Sequence, residues 1–216
     1  MAIKVIVLDF DGVIVESNDI KHGAFSEIFS VYPDHYKEIM AYHFAHNAVN
    51  RHEKFKHIMI NILNKEYDVE LAKKWALRFS ELTTDKIINC PYVTGAIEFI
   101  KSFSDKYPVY LASATPIDEL KTILKGRKIF QFFAGVYGAP MQKRNMFYDI
   151  MKKEMIDADE ILYIGDSPED YETARASGCI FIARTSDYEF KELKIKSFKN
   201  MLEIKDHCTN NLMIRG

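Results

Sequence analysis

Residues Val5-Ile6-Val7-Leu8 form an apolar run that stops abruptly at Asp9-Phe10-Asp11-Gly12. A short run of this kind, rich in β-branched residues, reads as a strand buried on both faces. Strands of that type belong to parallel sheets covered by helices, so this stretch constrains the architecture more than any other. Ligands of such sheets gather beyond the carboxyl ends of the strands, where Asp9 and Asp11 fall. Spaced by two, the carboxylates are expected on one strand face. Two like charges there are unfavourable unless a cation or a shared proton resolves them. A solvated Asp-Asp-Gly turn is the plainer alternative, and it stands only if nothing later in the chain answers the pair.

Four further apolar runs read as buried strands: Val109 to Ala112, Ala134 to Tyr137, Ile161 to Ile164 and Cys179 to Ala183. Helical patterns alternate with them over Ala96 to Ser104, Ile117 to Lys125, Met146 to Glu154 and Asp170 to Ala176. Alternation of this kind predicts βαβ units and a doubly wound parallel sheet. The segment 18–89 breaks the rhythm. It offers helical candidates at Ala24 to Ser30, His35 to His43, Lys54 to Leu63 and Leu71 to Ile88, with no convincing strand. The expected organisation is an α/β core from 1–17 and 90–216, with 18–89 inserted as an α-helical cap subdomain. After Phe190 a short strand near Ile195 and a helix from Phe198 to about His207 are expected, with fraying beyond.

Composition excludes several function classes. The 216 residues carry 29 Lys+Arg against 31 Asp+Glu, a net charge of −2. That balance gives no electrostatic footprint for nucleic acid and no polybasic membrane anchor. Cys90, Cys179 and Cys208 are odd in number and far apart, which speaks against a disulfide framework or a cysteine zinc site. The first apolar run is too short to span a membrane and ends in carboxylates rather than a cleavage site. A cytoplasmic protein, monomeric or a small homo-oligomer, is expected.

Reactive groups recur at the later strand ends. Ser113-Ala114-Thr115 precedes Pro116, a residue suited to a first helical turn. A hydroxyl with free N–H groups at a helix start cradles phosphate, although a simple N-cap has the same composition. Lys143 stands at a helix start, where its charge opposes the helix dipole and needs an anion, or else it is a surface lysine. Gly165-Asp166-Ser167-Pro168-Glu169-Asp170 places two more carboxylates at a strand end and the helix behind it. Taken together, four strand ends supply an oxygen-rich set that favours a hard cation such as Mg²⁺.

On Asp9-Phe10-Asp11-Gly12-Val13, Ser113, Lys143 and Gly165-Asp166-Ser167-Pro168-Glu169-Asp170, the chain resembles the haloacid dehalogenase-like hydrolases over essentially its full length. The helical insertion is similar to the small cap of the phosphoglycolate phosphatase and β-phosphoglucomutase subgroup. The resemblance implies a Mg²⁺-dependent phosphatase for a small phosphomonoester. In it Asp9 is the nucleophile that forms an aspartyl-phosphate, and Asp11 is the general acid and base. Metal ligands are implied at Asp9, Asp11 (through its main-chain carbonyl) and Asp166, with phosphoryl contacts from Ser113 and Lys143. Asp170 then orients Lys143 or a metal-bound water. A second Asp used in this way excludes dehalogenation. Many relatives carry Lys-Pro in the third motif, whereas Lys143 here precedes Arg144, the fallback for its role.

In the cap, Ala48-Val49-Asn50-Arg51 is similar to the Gly-x-Ser-Arg stretch of β-phosphoglucomutase-like enzymes, and Asn50 is a candidate helix cap. Arg51 and Lys54 are therefore candidates for binding an anionic or polyhydroxylated substrate, and solvated helix residues otherwise. His43 and His46 have the spacing of a metal pair without supporting ligands, so solvated cap histidines are preferred. Phe130, Phe132 and Phe133 are expected in the core, and Trp75 in cap packing. Mutases of this group place a His twelve residues after the nucleophile, where this chain has Lys21, with His22 next to it. A phosphomutase is thus the alternative enzyme, and a non-catalytic binding protein on the same fold is the third reading.

Overall fold

The computed structural model describes residues 2–47, 49–191 and 195–212. Its centre is a six-stranded, wholly parallel sheet of order β3-β2-β1-β4-β5-β6. The strands are β1 (Val5–Leu8), β2 (Val109–Pro116), β3 (Gly135–Ala139), β4 (Ile161–Gly165), β5 (Ile180–Arg184) and β6 (Ser197–Phe198). Helices α1 (Asn18–Phe29), α2 (Tyr36–Ala45), α3 (Arg51–His57) and α4 (Val69–Asn89) all lie between β1 and β2 in sequence. The remaining helices are α5 (Ala96–Ser104), α6 (Ile117–Gly126), α7 (Lys143–Glu154), α8 (Pro168–Ser177) and α9 (Met201–His207).

Every residue of β1 is buried, and the alternation divides two cores. Ile6 and Leu8 join one cluster with Phe99 of α5, Leu120 of α6 and Ile204 of α9. Val5 and Val7 join the opposite cluster with Phe147 of α7 and Ala174 of α8. The sheet is therefore covered on both faces, as continuous apolar strands require. After β1 the chain builds outward through β2 and β3, then returns to lay β4 on the other side of β1. That reversal opens a crevice beyond the carboxyl ends of β1 and β4.

Helices α1 to α4 share a third core of their own, built from Phe25, Phe29, Phe55, Trp75 and Phe79 with Ile39 and Ile58. Trp75 meets Phe29 and Phe55 edge-on at 4.9 and 5.6 Å, so it serves packing. Asn50 caps α3 by accepting from the His52 and Glu53 amides, and Asp68 does the same for α4. Among the described residues no helix is long and apolar enough to cross a membrane.

Several expected boundaries move. Strand β2 runs on to Pro116, because its edge pairs irregularly with β3 beyond Ala112. The expected helix Lys54 to Leu63 is α3 followed by a π-helical turn at Ile58–Ile62. The last strand lies at Ser197–Phe198 rather than near Ile195, so Phe198 pairs with Arg184 instead of opening a helix. Phe130, Phe132 and Phe133 are half-buried at the rim of the core, in and just after a single 3₁₀ turn. Ala48 of the cap stretch and residues 213–216 of the tail lie outside the described residues.

Candidate active site

Strand β1 ends at Leu8, and the backbone turns through Gly12, which has a left-handed φ of +70°. The expectation that Asp9 and Asp11 share a strand face is corrected by this turn. Asp9 follows Val5 and Val7 toward α7 and α8, while Asp11 forms an isolated bridge to Val15. Gly12 is demanded twice over, because a Cβ there would also lie 1.9 Å from Asp166 Oδ2. Gly165 is similarly pressed, with a Cβ position 2.5 Å from that of Asp170. The two glycines let three acidic residues from separate motifs converge: carboxylate oxygens of Asp9, Asp166 and Asp170 lie within 4.8 Å of one another.

Lys143, the first residue of α7, lies among them. Its Nζ is 3.2 Å from Asp9 Oδ1 and 2.5 Å from Asp170 Oδ1, and it donates to the Tyr163 hydroxyl at 3.1 Å. These anions compensate the cation that the helix N-terminus would otherwise repel. Burial pulls the ammonium toward neutrality, but Asp170 and Asp9 outweigh it and hold the pKa well above the ordinary lysine value. Arg144 is exposed.

The carboxylates differ in environment. Asp170 is fully buried and saturated with donors. Oδ1 accepts from Lys143 and from Tyr163 Oη at 2.5 Å, and Oδ2 accepts from the Asp166 and Ser167 amides at 3.2 Å and Ser167 Oγ at 2.8 Å. Burial opposes its charge, yet Lys143 and these donors keep its pKa below the usual value. Asp9 is the reverse case. Burial raises its pKa well above the ordinary value; Lys143 offsets part of this, and the neighbouring Asp170, Asp166 and Asp11 add to it. Burial and Asp170 likewise raise Asp166. Asp9 Oδ1 is also one of three buried side-chain polar atoms without a directed hydrogen bond among the described residues. Two buried carboxylates held at unfavourable charge, one with an oxygen approached only by the Lys143 ammonium, fit a hard divalent cation. Asp170 has no lone pair to spare, so Asp9 and Asp166 are the side chains suited to hold it.

Asp11 is separately held. Ser17 Oγ donates to Oδ1 at 2.6 Å, Thr115 Oγ1 donates to Oδ2 at 3.2 Å, and Lys21 Nζ donates to Oδ2. Burial would raise its pKa, but Lys21 and these hydroxyls bring it below the usual carboxylate value. Ser113 is fully buried and accepts the Thr115 amide at 3.1 Å, so Thr115 is the hydroxyl that contacts Asp11. On Asp166, Asn18 Nδ2 and Ser186 Oγ donate to Oδ2 at 3.2 and 2.5 Å.

Asp9, Asp11, Thr115 and Asp166 floor a cleft of about 630 Å³, open mouth included, whose roof is the helical layer. Phe25, His43, Arg51, Lys54 and Phe79 line it from above. Arg51 has its guanidinium committed: Nη2 donates to Glu119 Oε1 at 2.7 Å, while Nη1 donates to Glu119 Oε2 at 3.0 Å and Ser80 Oγ at 2.8 Å. Lys54 forms no ion pair with a carboxylate among the described residues. His46 Nδ1 is spent on the Tyr42 carbonyl and His43 Nε2 on His22, at 2.9 Å each, so the two do not form a ligand pair.

Sequence reasoning therefore missed Ser17, Asn18, Thr115, Tyr163 and Ser186 as members of the site. Thr115, two residues past Ser113 at the same strand end, carried a readable signal. Ser186 carried none, since it reaches Asp166 only through the pairing of β4 with β5.

Comparison with known proteins agrees with this geometry. No curated protein matches the chain. Solved structures with the same fold include a predicted phosphoglycolate phosphatase from Haemophilus somnus, with TM-score 0.75 and 17% identity, covering 94% of this chain and 97% of that one. CbbY from Rhodobacter sphaeroides in complex with xylulose-1,5-bisphosphate has TM-score 0.72 and 12% identity, covering 93% and 96%. A haloacid dehalogenase-type hydrolase of family IA, variant 3, from Entamoeba histolytica has TM-score 0.75 and 16% identity, covering 93% and 95%. The profile of the haloacid dehalogenase-like hydrolases matches residues 6–184, and the chain belongs to that family.

Proposed function

We propose that this hydrolase removes the phosphoryl group from a small phosphomonoester with Mg²⁺ bound, through a phosphorylated Asp9. The observation that carries the reading is Asp9 itself, a buried carboxylate at the cleft floor with one oxygen undirected and Lys143 3.2 Å away. Asp9 and Asp166, with the Asp11 carbonyl, would hold the metal, which supplies charge neutralisation between an anionic nucleophile and an anionic substrate. An Asp9 oxygen attacks phosphorus, and the bond to the leaving oxygen breaks with its electron pair. Asp11 delivers a proton to that oxygen and takes one from the water that later cleaves the acyl phosphate. Because Asp11 rests as a carboxylate, the proton it delivers first comes from the adjacent Lys21 ammonium, and the proton it takes from water in the second step returns to Lys21. Lys143 balances charge on the transferred group, while Asp170 and Tyr163 hold its ammonium in place. Ser113, by accepting the Thr115 amide, fixes the loop beside them.

The helical unit 18–89 acts as a cap that limits entry to small molecules, and CbbY, a structural neighbour, binds a small bisphosphate under the same fold. The test is hydrolysis of p-nitrophenyl phosphate by the full chain with Mg²⁺. Asp9→Asn is expected to stay folded and lose at least about 10³-fold in kcat, and acid quenching should trap a phosphoenzyme in the parent only. Substantial turnover by Asp9→Asn refutes the nucleophile assignment. Isomerisation of a sugar 1-phosphate without phosphate release would point to the mutase instead.

A further inference from the structure

Lys54, on α3 in the roof of the cleft, is only 3% exposed and forms no ion pair among the described residues. Its Nζ approaches His43 Nδ1 at 3.2 Å and the carbonyls of His43 and Asn47 at 3.5 Å, and it stands 5.4 Å from the Phe25 ring centre. The neighbouring histidine is no counter-ion. His22 Nε2 faces Asp187 Oδ2 at 3.1 Å, and His22 Nδ1 faces His43 Nε2 at 2.9 Å. Read from Asp187 inward, each contact needs one donor: His22 donates from Nε2, His43 donates from Nε2, and His43 Nδ1 is left as an acceptor for Lys54. The relay from α1 and α2 to the loop after β5 thus fixes a neutral His43, and burial beside Lys54 pushes the His43 pKa down to about 2. Arg51, the other cap cation at the cleft, is already neutralised by Glu119.

A buried ammonium without a counter-charge is costly, and a cavity beside it is the place where a counter-charge can arrive. We propose that Lys54 is a specificity residue for a second anionic group of the substrate, remote from the phosphoryl group on Asp9. The substrate class is then a phosphomonoester whose leaving portion carries a carboxylate or a second phosphate. This rests on the proposed phosphoryl site at Asp9, which lines the same cleft.

Calorimetric titration separates the two claims. The full chain carrying Asp9→Asn, with Mg²⁺, is titrated with two matched pairs: 2-phosphoglycolate against ethyl phosphate, and fructose 1,6-bisphosphate against fructose 6-phosphate. The anionic-tailed member of at least one pair is expected to bind about 30-fold or more tightly, and which pair responds tells carboxylate from phosphate. Adding Lys54→Met should erase that preference, while Lys54→Arg retains part of it. Thermal unfolding of both variants checks that they are folded. No preference in either pair, or a preference that survives Lys54→Met, overturns the assignment. If Lys54→Met does not fold, loss of preference is read from Lys54→Gln, and its persistence there is equally fatal. Failure of the parent enzyme to hydrolyse any of the four esters would defeat the phosphatase reading, and the affinity comparison would still decide Lys54.

Discussion

The bidentate pair between Arg51 of α3 and Glu119 of α6 joins the helical layer to the sheet domain, and its removal should be measurable as stability. Both side chains are nearly buried, at 6% and 10% exposure. Ser80 of α4 closes the network, accepting from Arg51 at 2.8 Å and donating to Glu119 at 2.6 Å. The guanidinium also lies 4.3 Å from the Phe79 ring centre. Glu119→Gln leaves a charged guanidinium desolvated with no counter-ion, which typically costs about 3–5 kcal/mol. Arg51→Met leaves a buried carboxylate in the same position, at a similar cost. The pair as a whole is far less valuable than either loss implies, because desolvation of both ions offsets most of their attraction. The double variant Arg51→Met/Glu119→Gln is therefore expected to lie within about 2 kcal/mol of the parent, giving a coupling energy of roughly 4 kcal/mol or more. Urea unfolding of the four proteins followed by circular dichroism measures the cycle. Additive losses would refute the reasoning. So would an Arg51→Met variant of unchanged stability whose KM alone rises, since the guanidinium would then serve substrate rather than the contact between layers.

Other consequences are more local. Gly12→Ala is expected to cost a few kcal/mol in unfolding free energy and to abolish phosphatase activity, because a Cβ there meets Asp166 at 1.9 Å on a left-handed backbone. Mg²⁺ at millimolar concentration should raise the melting temperature of the parent, and Asp166→Asn should remove most of that rise; an equal rise in both would exclude Asp166 as a ligand. The Lys54 pKa falls to about 7 through burial and the Lys21 charge, against an opposing pull from Glu169, with a neutral His43 beside it and His22 behind that ring. For a lysine lowered in the folded state, the penalty is fully present below pH 7. It is relieved as pH rises toward 10, where the unfolded chain holds more protons. Lys54→Met should accordingly be more stable than the parent at pH 6, with the gap closing by pH 10 in urea titrations. A constant gap would show that Lys54 is charged throughout.

Strand and helix order was readable because it depends on local pattern. Val5 to Leu8 and Ile161 to Ile164 are apolar runs whichever residues they later touch, and Asp9, Lys143 and Asp166 stand at the ends of such runs. What the pattern lacked was backbone direction after the strand. The turn at Gly12 sends Asp11 toward Lys21 and Thr115, and only the three-dimensional path shows that the two carboxylates part. The same limit governs the cap. Arg51 and Lys54 look alike in sequence, three positions apart on one helix, yet Glu119 lies 68 residues from Arg51 and decides that one is neutralised and the other is not. Ser113 was singled out for its hydroxyl, but the irregular end of β2 turns that hydroxyl to the Thr115 amide and leaves Thr115 facing Asp11.

Charge balance links the floor and the roof of the cleft. Asp9, Asp11, Asp166 and Asp170 bring four carboxylates, and Lys143 and Lys21 bring two ammoniums, so the floor is two negative charges in excess when all are ionised. Burial first, and the neighbouring carboxylates second, raise the pKa values of Asp9 and Asp166. A monovalent ion leaves the charge excess half unresolved, and a divalent one cancels it. A phosphoryl dianion then restores two negative charges, and Lys54 is the one cap cation lining the cleft, among the described residues, with no carboxylate already beside it. Removing Lys54 should therefore weaken anionic-tailed esters more than removing Arg51 does, although Arg51 is the residue the sequence presents first. The reverse ranking, read as kcat/KM for such an ester across Lys54→Met and Arg51→Met, would show that the Arg51–Glu119 pair opens for substrate and that the roof is organised around the guanidinium.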